Sequence, residues 1–427
     1  MKGTNFMMRK LLFVIVLASL LLAACSGSAA APKASATPKP TAIVLPTVGP
    51  TGTTAPPTAT PLPGGCATVT LLPNPDPSFP QVTENEYIRG AAKATVTFIE
   101  YADFQCPYCS QLELFMKNVL AANPDVRLVY RYFPLTGHAL ALITAQAAEA
   151  AANQGKFWEM HDALFANQST WSAMTEDNFI AWATDEAKTL GLDATQFAAD
   201  IKSPTVTAKV AAAQTQAQAI GIPGTPFLLA NGIYIGDQVD DTTLNYVISL
   251  IHSLIELEPK VYKECPPQVL DKTKQYIATI STTKGDIVMQ LFPDKAPIAV
   301  NSFVFLAQHG WYNNNPFHRV IPDFVAQSGD PTGTGRGNPG YAYITEPSDL
   351  KFDKEGVVAI ANMGQNTSGS QFFITFNAQP TLDGKYSIIG QVTQGMDVVK
   401  KLTSRNPANP GTLPDPDMIT KVTIEVK

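Results

Sequence analysis

The sequence has no basic cluster in its folded part, and its formal net charge is −6. Nucleic-acid-binding domains carry clustered positive charge, so we expect no nucleic-acid partner. The five histidines are scattered, and the chain has no second C-x-x-C motif. Because a structural zinc site needs several ligands close together, we expect no metal, and nothing in the sequence indicates another cofactor. No internal repeat is visible, which indicates that the domains differ in kind.

Long apolar runs are also missing beyond the N-terminus, so we expect no transmembrane helix in the rest of the chain. Arg9 and Lys10 precede a short apolar run, 11–22, which is typical of a signal peptide. The next residues, Ala-Ala-Cys ending at Cys25, resemble a bacterial lipobox. That resemblance implies a lipoprotein signal peptide over residues 1–24 and lipidation of the Cys25 thiol. The alternative is an ordinary secretory signal.

Residues 25–65 consist mainly of Pro, Thr, Ala and Gly and have no hydrophobic periodicity. Such a segment cannot bury a core, and its prolines favour extended conformations. We therefore expect a disordered, lipid-anchored linker that holds the folded part away from a membrane. The remainder, roughly 360 residues, is long enough for two or three domains.

Two cysteines form a C-P-Y-C motif, Cys106 and Cys109, after a strand pattern at 94–101 and before apolar residues at helical spacing. At a helix N-terminus, free backbone N–H groups and the helix dipole stabilise a thiolate. We therefore expect Cys106 to be the exposed thiol of low pKa, and Cys109 to be the shielded thiol that resolves a mixed disulfide. Glu100, on the preceding strand, is a candidate proton acceptor for Cys109. The alternative is a structural disulfide.

A second motif, GIPGTPF at 221–227, precedes an apolar strand, and Asn231-Gly232 predicts a hairpin turn after that strand. Together with the C-P-Y-C motif, this segment resembles the DsbA-like group of thioredoxin-fold proteins. The resemblance implies that Pro226 follows a cis bond and packs against the C-P-Y-C motif. It also implies that Thr225 offers main-chain contact to a bound thiol substrate. The alanine-rich stretch 139–219 then matches a helical insertion in that fold.

We expect the thioredoxin-like domain to span residues 66–265. Cys66 and Cys265 lie just outside the two ends of the segment that carries the resemblance. An even number of cysteines in an exported protein favours disulfides, so we predict that these two pair with each other. The alternative is two separate thiols.

The C-terminal part contains FHRVIPDFVAQSGD at 317–330 and NTSGSQFFI at 366–374. These stretches combine Arg319 and Gln327 with several aromatic residues. Rotation about an Xaa-Pro amide has a barrier of roughly 20 kcal/mol and needs no nucleophile. A catalyst has to hold the proline ring in an apolar slot and direct a donor at the prolyl nitrogen. Because arginine is rarely buried without a partner, Arg319 is a candidate for that donor.

From about Tyr276 to its end, the chain resembles the cyclophilin family of peptidyl-prolyl isomerases. The resemblance implies that Arg319 is the catalytic arginine and Gln327 its hydrogen-bonding companion. It implies a proline pocket with Phe324 and Phe373 as walls, and Val325, Leu382 and Tyr386 beside them. It implies a groove for the peptide backbone lined by Ala361, Asn362 and Gln371. Thr381 stands where many members have a tryptophan, and Tyr386 where many have a histidine.

The sequence thus predicts a multidomain chain. An α/β thioredoxin-like fold with a helical insertion is followed, over residues 270–427, by an antiparallel β-barrel of cyclophilin type with flanking helices. We expect a membrane-anchored, extracytoplasmic folding factor of the cell envelope. It would isomerise prolines and exchange disulfides in unfolded or folding exported proteins, with a further protein as possible redox partner. The alternative is a scaffold that binds proline peptides without turnover and carries C-P-Y-C as a structural disulfide.

Overall fold

A computed structural model describes residues 63–236, 239–271, 273–408 and 413–427. The expected signal peptide, the lipidation at Cys25 and nearly all of the expected linker lie outside the described residues. Among the residues that are described, no helix combines the length and the apolar character needed to cross a bilayer.

The N-terminal half of the described chain has a five-stranded sheet, with helices between and after its strands. Its elements, in chain order, are β1 (Cys66–Thr68), β2 (Tyr87–Gly90), β3 (Val96–Ala102), α1 (Pro107–Ala122), β4 (Val126–Tyr132), α2 (Ala141–Ala152), α3 (Phe157–Ala166), α4 (Gln168–Trp171), α5 (Glu176–Thr189), α6 (Ala194–Asp200), α7 (Pro204–Ala219), β5 (Phe227–Ala230), β6 (Ile233–Tyr234) and α8 (Asp241–Leu257).

The strand order in this sheet is β2-β4-β3-β5-β6, and β3 and β4 run parallel. Helix α1 connects β3 to β4, which is the crossover that a parallel pair requires. Helices α2 to α7 fill the interval between β4 and β5, so the predicted helical insertion is confirmed. The predicted hairpin at Asn231-Gly232 is also present, because β6 pairs antiparallel with β5 and both turn residues have positive φ.

The C-terminal half is dominated by a nine-stranded antiparallel sheet. Its elements are β7 (Tyr276–Thr282), β8 (Gly285–Leu291), α9 (Pro297–Gln308), β9 (Asn315–Pro316), β10 (Arg319–Ile321), β11 (Val325–Ser328), β12 (Tyr341–Tyr343), β13 (Val357–Ile360), β14 (Phe372–Thr375), β15 (Ile388–Gln394), α10 (Met396–Val399) and β16 (Met418–Val426). The strand order is β10-β11-β14-β13-β15-β8-β7-β16-β9.

This sheet curls into a half-barrel. The two strands at its ends, β10 and β9, are not hydrogen-bonded neighbours, so the expected barrel is not a closed ring of paired strands. Helix α9 buries Phe303 against Tyr312 and Phe372, with ring centroids 4.9 and 5.6 Å away. Gly310 follows α9 with a φ of 73°, the left-handed conformation in which glycine commonly ends a helix.

The predicted disulfide between Cys66 and Cys265 is present, with their Cα atoms 6.2 Å apart. Strand β1 pairs antiparallel with β12, which places Cys66 opposite Tyr343. On the other side of the thioredoxin-like part, the Tyr262 N–H donates to the Pro339 carbonyl over 2.9 Å. The segments before and after the thioredoxin-like part therefore both bind to the half-barrel part.

Candidate active sites

An apolar cluster in the half-barrel part gathers side chains that are far apart in sequence. It contains the predicted pocket residues Val325, Phe373, Leu382 and Tyr386, and Phe324 packs against it. It also contains Ala361, which was expected to line the groove. Phe373 meets Tyr386 edge to face, with ring centroids 5.2 Å apart. The cluster offers apolar and aromatic surfaces of the kind that hold a proline ring.

Phe352 is a member of this cluster that sequence reasoning missed. It is fully buried and stacks on Phe373, with ring centroids 5.8 Å apart and planes inclined by 18°. Its only signal in the sequence is a single aromatic residue in a polar stretch. Because Phe373 packs between Phe352 and Tyr386, Phe352 fixes the position of the pocket wall.

Arg319 and Gln327 are opposite each other on the antiparallel strands β10 and β11. Nη1 of Arg319 donates to Oε1 of Gln327 over 3.4 Å, and the guanidinium carbon lies 5.5 Å from the centre of the Phe324 ring. Burial lowers the pKa of Arg319, while the nearby Tyr386 hydroxyl opposes that effect. The guanidinium remains cationic in proteins, so the site holds a largely desolvated donor whose electrostatic effect exceeds that in water.

A chain of amide groups continues from Arg319 into a neighbouring loop. Nε2 of Gln327 donates to Oε1 of Gln371 over 3.0 Å, and Nε2 of Gln371 donates to the Gly337 carbonyl over 3.1 Å. The buried Asp330 carboxylate accepts the Gly337 N–H over 3.0 Å and so holds that loop. Asp330 and Gly337 were not predicted site residues; the chain of hydrogen bonds assigns them to the support of Arg319.

The expected groove residues lie beside this chain. The Ala361 N–H donates to the Gln371 carbonyl over 2.8 Å. Asn362 is buried, and its Nδ2 donates to the Lys385 carbonyl over 3.1 Å while its Oδ1 accepts the Gly364 N–H over 3.2 Å. The structure thus brings Ala361, Asn362 and Gln371 together next to Gln327.

The second site is the C-P-Y-C motif at the start of α1, where Cys106 is the N-cap residue. The Thr225–Pro226 bond is cis, and the Thr225 carbonyl oxygen lies 3.3 Å from the Cys106 sulfur. The pKa of Cys106 is lowered to about 6, mainly by hydrogen bonding from the Cys109 thiol. Burial opposes this shift. The Thr225 side chain and the backbone N–H groups of Cys109 and Tyr108 lower the pKa further.

The expected exposure of Cys106 is wrong. Only 3% of this residue is exposed, whereas its neighbour Tyr108 is 68% exposed. The reason is tertiary: Thr225 contacts the sulfur, and Nε2 of Gln168, from α4, donates to the Cys106 carbonyl over 2.9 Å. The cis-proline segment therefore contacts the reactive sulfur, and the helical insertion binds the backbone carbonyl of the same residue.

Cys109 and Glu100 are buried beneath Cys106. Burial, the Cys106 side chain and the charge of Glu100 raise the pKa of Cys109. Burial, with the charges of Glu113 and Cys106, raises the pKa of Glu100 well above its usual value. Neither carboxylate oxygen of Glu100 has a hydrogen-bond partner among the described residues. A buried carboxylate of raised pKa is suited to hold a proton. The role of Glu100 as proton acceptor for Cys109 stays a prediction.

Two family models match this chain. Residues 277–424 match the family described as cyclophilin type peptidyl-prolyl cis-trans isomerase/CLD, and residues 82–249 match the family described as thioredoxin.

Similar proteins cover parts of the chain. It is 46% identical over 128 residues to peptidyl-prolyl cis-trans isomerase-like 1 of Emericella nidulans, which covers 29% of this chain and 79% of that protein. It is 41% identical over 167 residues to peptidyl-prolyl cis-trans isomerase-like 2 of Rhizopus delemar, which covers 38% of this chain but only 30% of that relative. A solved thioredoxin-like oxidoreductase from Silicibacter pomeroyi DSS-3 has 30% identity over 39% of this chain and 91% of its own, with a TM-score of 0.33.

Proposed function

Because the chain belongs to the cyclophilin-type peptidyl-prolyl cis-trans isomerase family, we propose that it catalyses two slow steps of protein folding. The half-barrel domain isomerises Xaa-Pro bonds, and the thioredoxin-like domain exchanges disulfides in the same class of client. Uncatalysed proline isomerisation takes roughly 10–100 s, and disulfide reshuffling takes seconds to hours. A chain that accelerates both removes two independent delays from the folding of one protein.

For the isomerase, the observation that supports the proposal most is the buried Arg319 held by Gln327 beside the apolar cluster. A proline ring bound against Phe373 would bring its amide nitrogen to the guanidinium. A hydrogen bond to that nitrogen weakens conjugation with the carbonyl and so lowers the rotational barrier. The amide chain through Gln371 to the Gly337 carbonyl holds Gln327, and thereby Arg319, before the substrate arrives.

The test is kcat/KM for an Xaa-Pro peptide. We expect Arg319→Ala to lose at least about 2 kcal/mol of transition-state stabilisation, roughly thirtyfold in rate. Arg319→Lys keeps the charge but lacks the planar fork, so it should recover only part of the activity. The matched control is Lys401→Ala, which removes a cation paired with Asp397 on the surface. Wild-type activity in a folded Arg319→Ala protein would remove Arg319 from the mechanism.

For disulfide exchange, the supporting observation is the unequal pair of thiols, one with a pKa of about 6 and one buried with a raised pKa. A thiolate at Cys106 attacks a client disulfide, and Cys109 then releases the client. We expect Cys109→Ser to accumulate mixed disulfides at Cys106, seen as reducible adducts on a non-reducing gel. Cys106→Ser is the control and should accumulate none.

The alternative, a scaffold that binds proline peptides and carries a structural disulfide, gives different results. It would bind an Xaa-Pro peptide without accelerating its exchange, and Cys109→Ser would trap no client.

We further propose that the protein acts outside the cytoplasm, anchored to a membrane through lipid on Cys25. The disulfide between Cys66 and Cys265 is consistent with an oxidising compartment. Exported proteins in the course of folding would be the clients, and a separate redox protein would restore the C-P-Y-C pair. Metabolic labelling with a fatty acid tests the anchor; Cys25→Ser should abolish the label, and a label that persists would place the lipid elsewhere.

A further inference from the structure

Four buried polar side chains under the C-P-Y-C motif each have at least one polar atom without a hydrogen-bond partner among the described residues. Besides Glu100, the group comprises the Tyr130 hydroxyl, Oε1 of Glu113 and Nε2 of His161, none of which has a hydrogen-bond partner among the described residues. Buried polar atoms in native proteins are nearly always hydrogen-bonded. Four such residues in one region of the thioredoxin-like domain therefore require an explanation.

These side chains lie on neighbouring elements around the Cys109 thiol. Glu113 lies four residues after Cys109 on α1, and both are buried, so the two occupy successive turns of one helix face. Tyr130, on β4, is the register partner of Glu100, on β3. The ring of Tyr130 contacts the ring of His161 edge to face, with centroids 4.9 Å apart. Tyr130, beside Glu100, and Glu113, one turn after Cys109, are thus both close to His161.

This group extends to the surface. Nε2 of His161 lies 3.9 Å from Oε2 of Glu113, and its Nδ1 lies 2.9 Å from Oδ1 of Asp162. The His161 side chain is fully buried, whereas 36% of the Asp162 side chain is exposed. His161 therefore connects a buried carboxylate with one that reaches solvent.

A metal ion is the obvious alternative occupant, because Glu113, His161 and Asp162 offer ligand atoms within 4.8 Å of one another. Two cationic side chains, those of Arg89 and Lys117, already lie next to the carboxylates of Glu113 and Asp162. Nη1 of Arg89 lies 2.9 Å from Asp162 and 3.6 Å from Glu113, and Nζ of Lys117 lies 3.5 Å from Glu113. Their charges balance those of the two carboxylates, so a divalent cation would meet no net negative charge.

We propose that Glu113, His161 and Asp162 conduct to solvent the proton that Cys109 releases when it resolves a mixed disulfide. The proposal rests on the disulfide exchange proposed above. Glu100 takes the proton from the Cys109 thiol, and the thiolate attacks the Cys106 sulfur. The bond between Cys106 and the client sulfur breaks as the Cys106–Cys109 bond forms, and the client leaves as a thiolate. The cysteine pair loses two electrons, which the client disulfide gains.

The proton then moves from Glu100 to Glu113 and from Glu113 to Nε2 of His161. A histidine whose Nδ1–H donates to Asp162 has a free lone pair at Nε2, which is the tautomer this step requires. The imidazolium passes its Nδ1 proton to Asp162, which releases it to water. Burial opposes the shift, but hydrogen bonds from His161 and Arg89 lower the pKa of Asp162 to about 2, so Asp162 does not retain the proton.

The experiment measures the two steps of thiol oxidation separately in the full-length protein. The C-P-Y-C pair is reduced under conditions that leave Cys66–Cys265 intact, as checked by mass spectrometry. An aromatic disulfide that releases a coloured thiol is then mixed in a stopped-flow instrument. Attack by Cys106 releases the first equivalent, and attack by Cys109 releases the second. Cys109→Ser supplies the baseline without a second step.

We expect His161→Gln to slow the second step at neutral pH by at least about tenfold, since general acid–base groups contribute about 10²- to 10⁴-fold. The first step should keep its wild-type rate. Asp162→Asn, at a more exposed position, should also slow the second step and shift its pH profile. The matched control is His252→Gln, because His252 is also a histidine paired with an aspartate, Asp125, in the same domain. That variant should leave both steps unchanged.

The outcomes separate this inference from the function on which it rests. If wild-type protein shows no rapid attack by Cys106, disulfide exchange fails and the proton route fails with it. If wild-type protein shows both steps and His161→Gln and Asp162→Asn leave the second one unchanged at every pH, only the proton route is refuted. Stoichiometric zinc binding that His161→Gln abolishes would also refute it, in favour of a metal site.

Discussion

The pKa of Cys106 yields the most direct quantitative prediction. A thiol with a pKa of about 6, against an ordinary value of 9.0, is about 90% ionised at pH 7 rather than about 1%. Compared with a thiol of pKa 9.0, this ionisation stabilises the reduced, folded protein by about 1.4 kcal/mol at pH 7. The reduction potential of the Cys106–Cys109 pair is then about 30 mV more oxidising than it would be with the ordinary pKa. Cys109 contributes little to this difference at pH 7, because it is protonated with or without its raised pKa.

The sign of the pH dependence follows from the lowered pKa. Between about 6 and 9 the unfolded chain binds a proton at Cys106 that the folded, reduced chain does not, so stability rises with pH. The Cys106 thiolate contributes its full amount to the free energy of unfolding, about 4 kcal/mol, at pH values above the ordinary pKa. This contribution is lost as the pH falls through about 6. The oxidised protein, which has no thiol at this position, should show no such dependence.

Ultraviolet absorbance of the thiolate, titrated in the reduced protein, measures the pKa without requiring access to the buried sulfur. Because the Cys109 thiol is the main cause of the shift, Cys109→Ala should move the midpoint upward from about 6. Cys109→Ser should move it less, because the serine hydroxyl still donates a hydrogen bond. A wild-type midpoint near 9, or an unchanged midpoint in Cys109→Ala, would refute the reasoning.

Two further predictions concern stability. Phe352→Ala should destabilise the half-barrel domain by about 3–5 kcal/mol through the cavity it leaves. It should also lower kcat/KM, because Phe373 loses its support. Phe352→Leu should destabilise the domain less, and equal urea midpoints for wild type and the alanine variant would contradict this role. Replacing Cys66 and Cys265 together by serine should cost at most about 5 kcal/mol, since the bridge closes a separation of 199 residues; an unchanged unfolding midpoint would show that the bridge adds no stability.

Local sequence pattern and family resemblance were sufficient to predict much of the secondary structure and many of the candidate site residues. The strand before C-P-Y-C was predicted at 94–101 and lies at Val96–Ala102, because β-branched and aromatic residues in a short run favour a buried strand. The helix after it and the hairpin at Asn231-Gly232 also follow from spacing and turn chemistry, which depend on neighbouring residues. The motifs of the half-barrel domain located Arg319, Gln327 and the pocket residues, because those motifs are short and distinctive.

Other features depend on segments far apart in sequence and were decided by the tertiary structure. The burial of Cys106 results from Thr225 and Gln168, which no pattern around residue 106 reveals. The support of Arg319 by the Gly337 carbonyl likewise needs a loop and two strands to meet. His161 lies on a helix predicted only as part of a generic insertion, and its position beside Glu113 arises from the packing of that helix against α1. Local sequence determines backbone conformation, whereas exposure, charge environment and hydrogen-bond partners are set by which distant segments pack together.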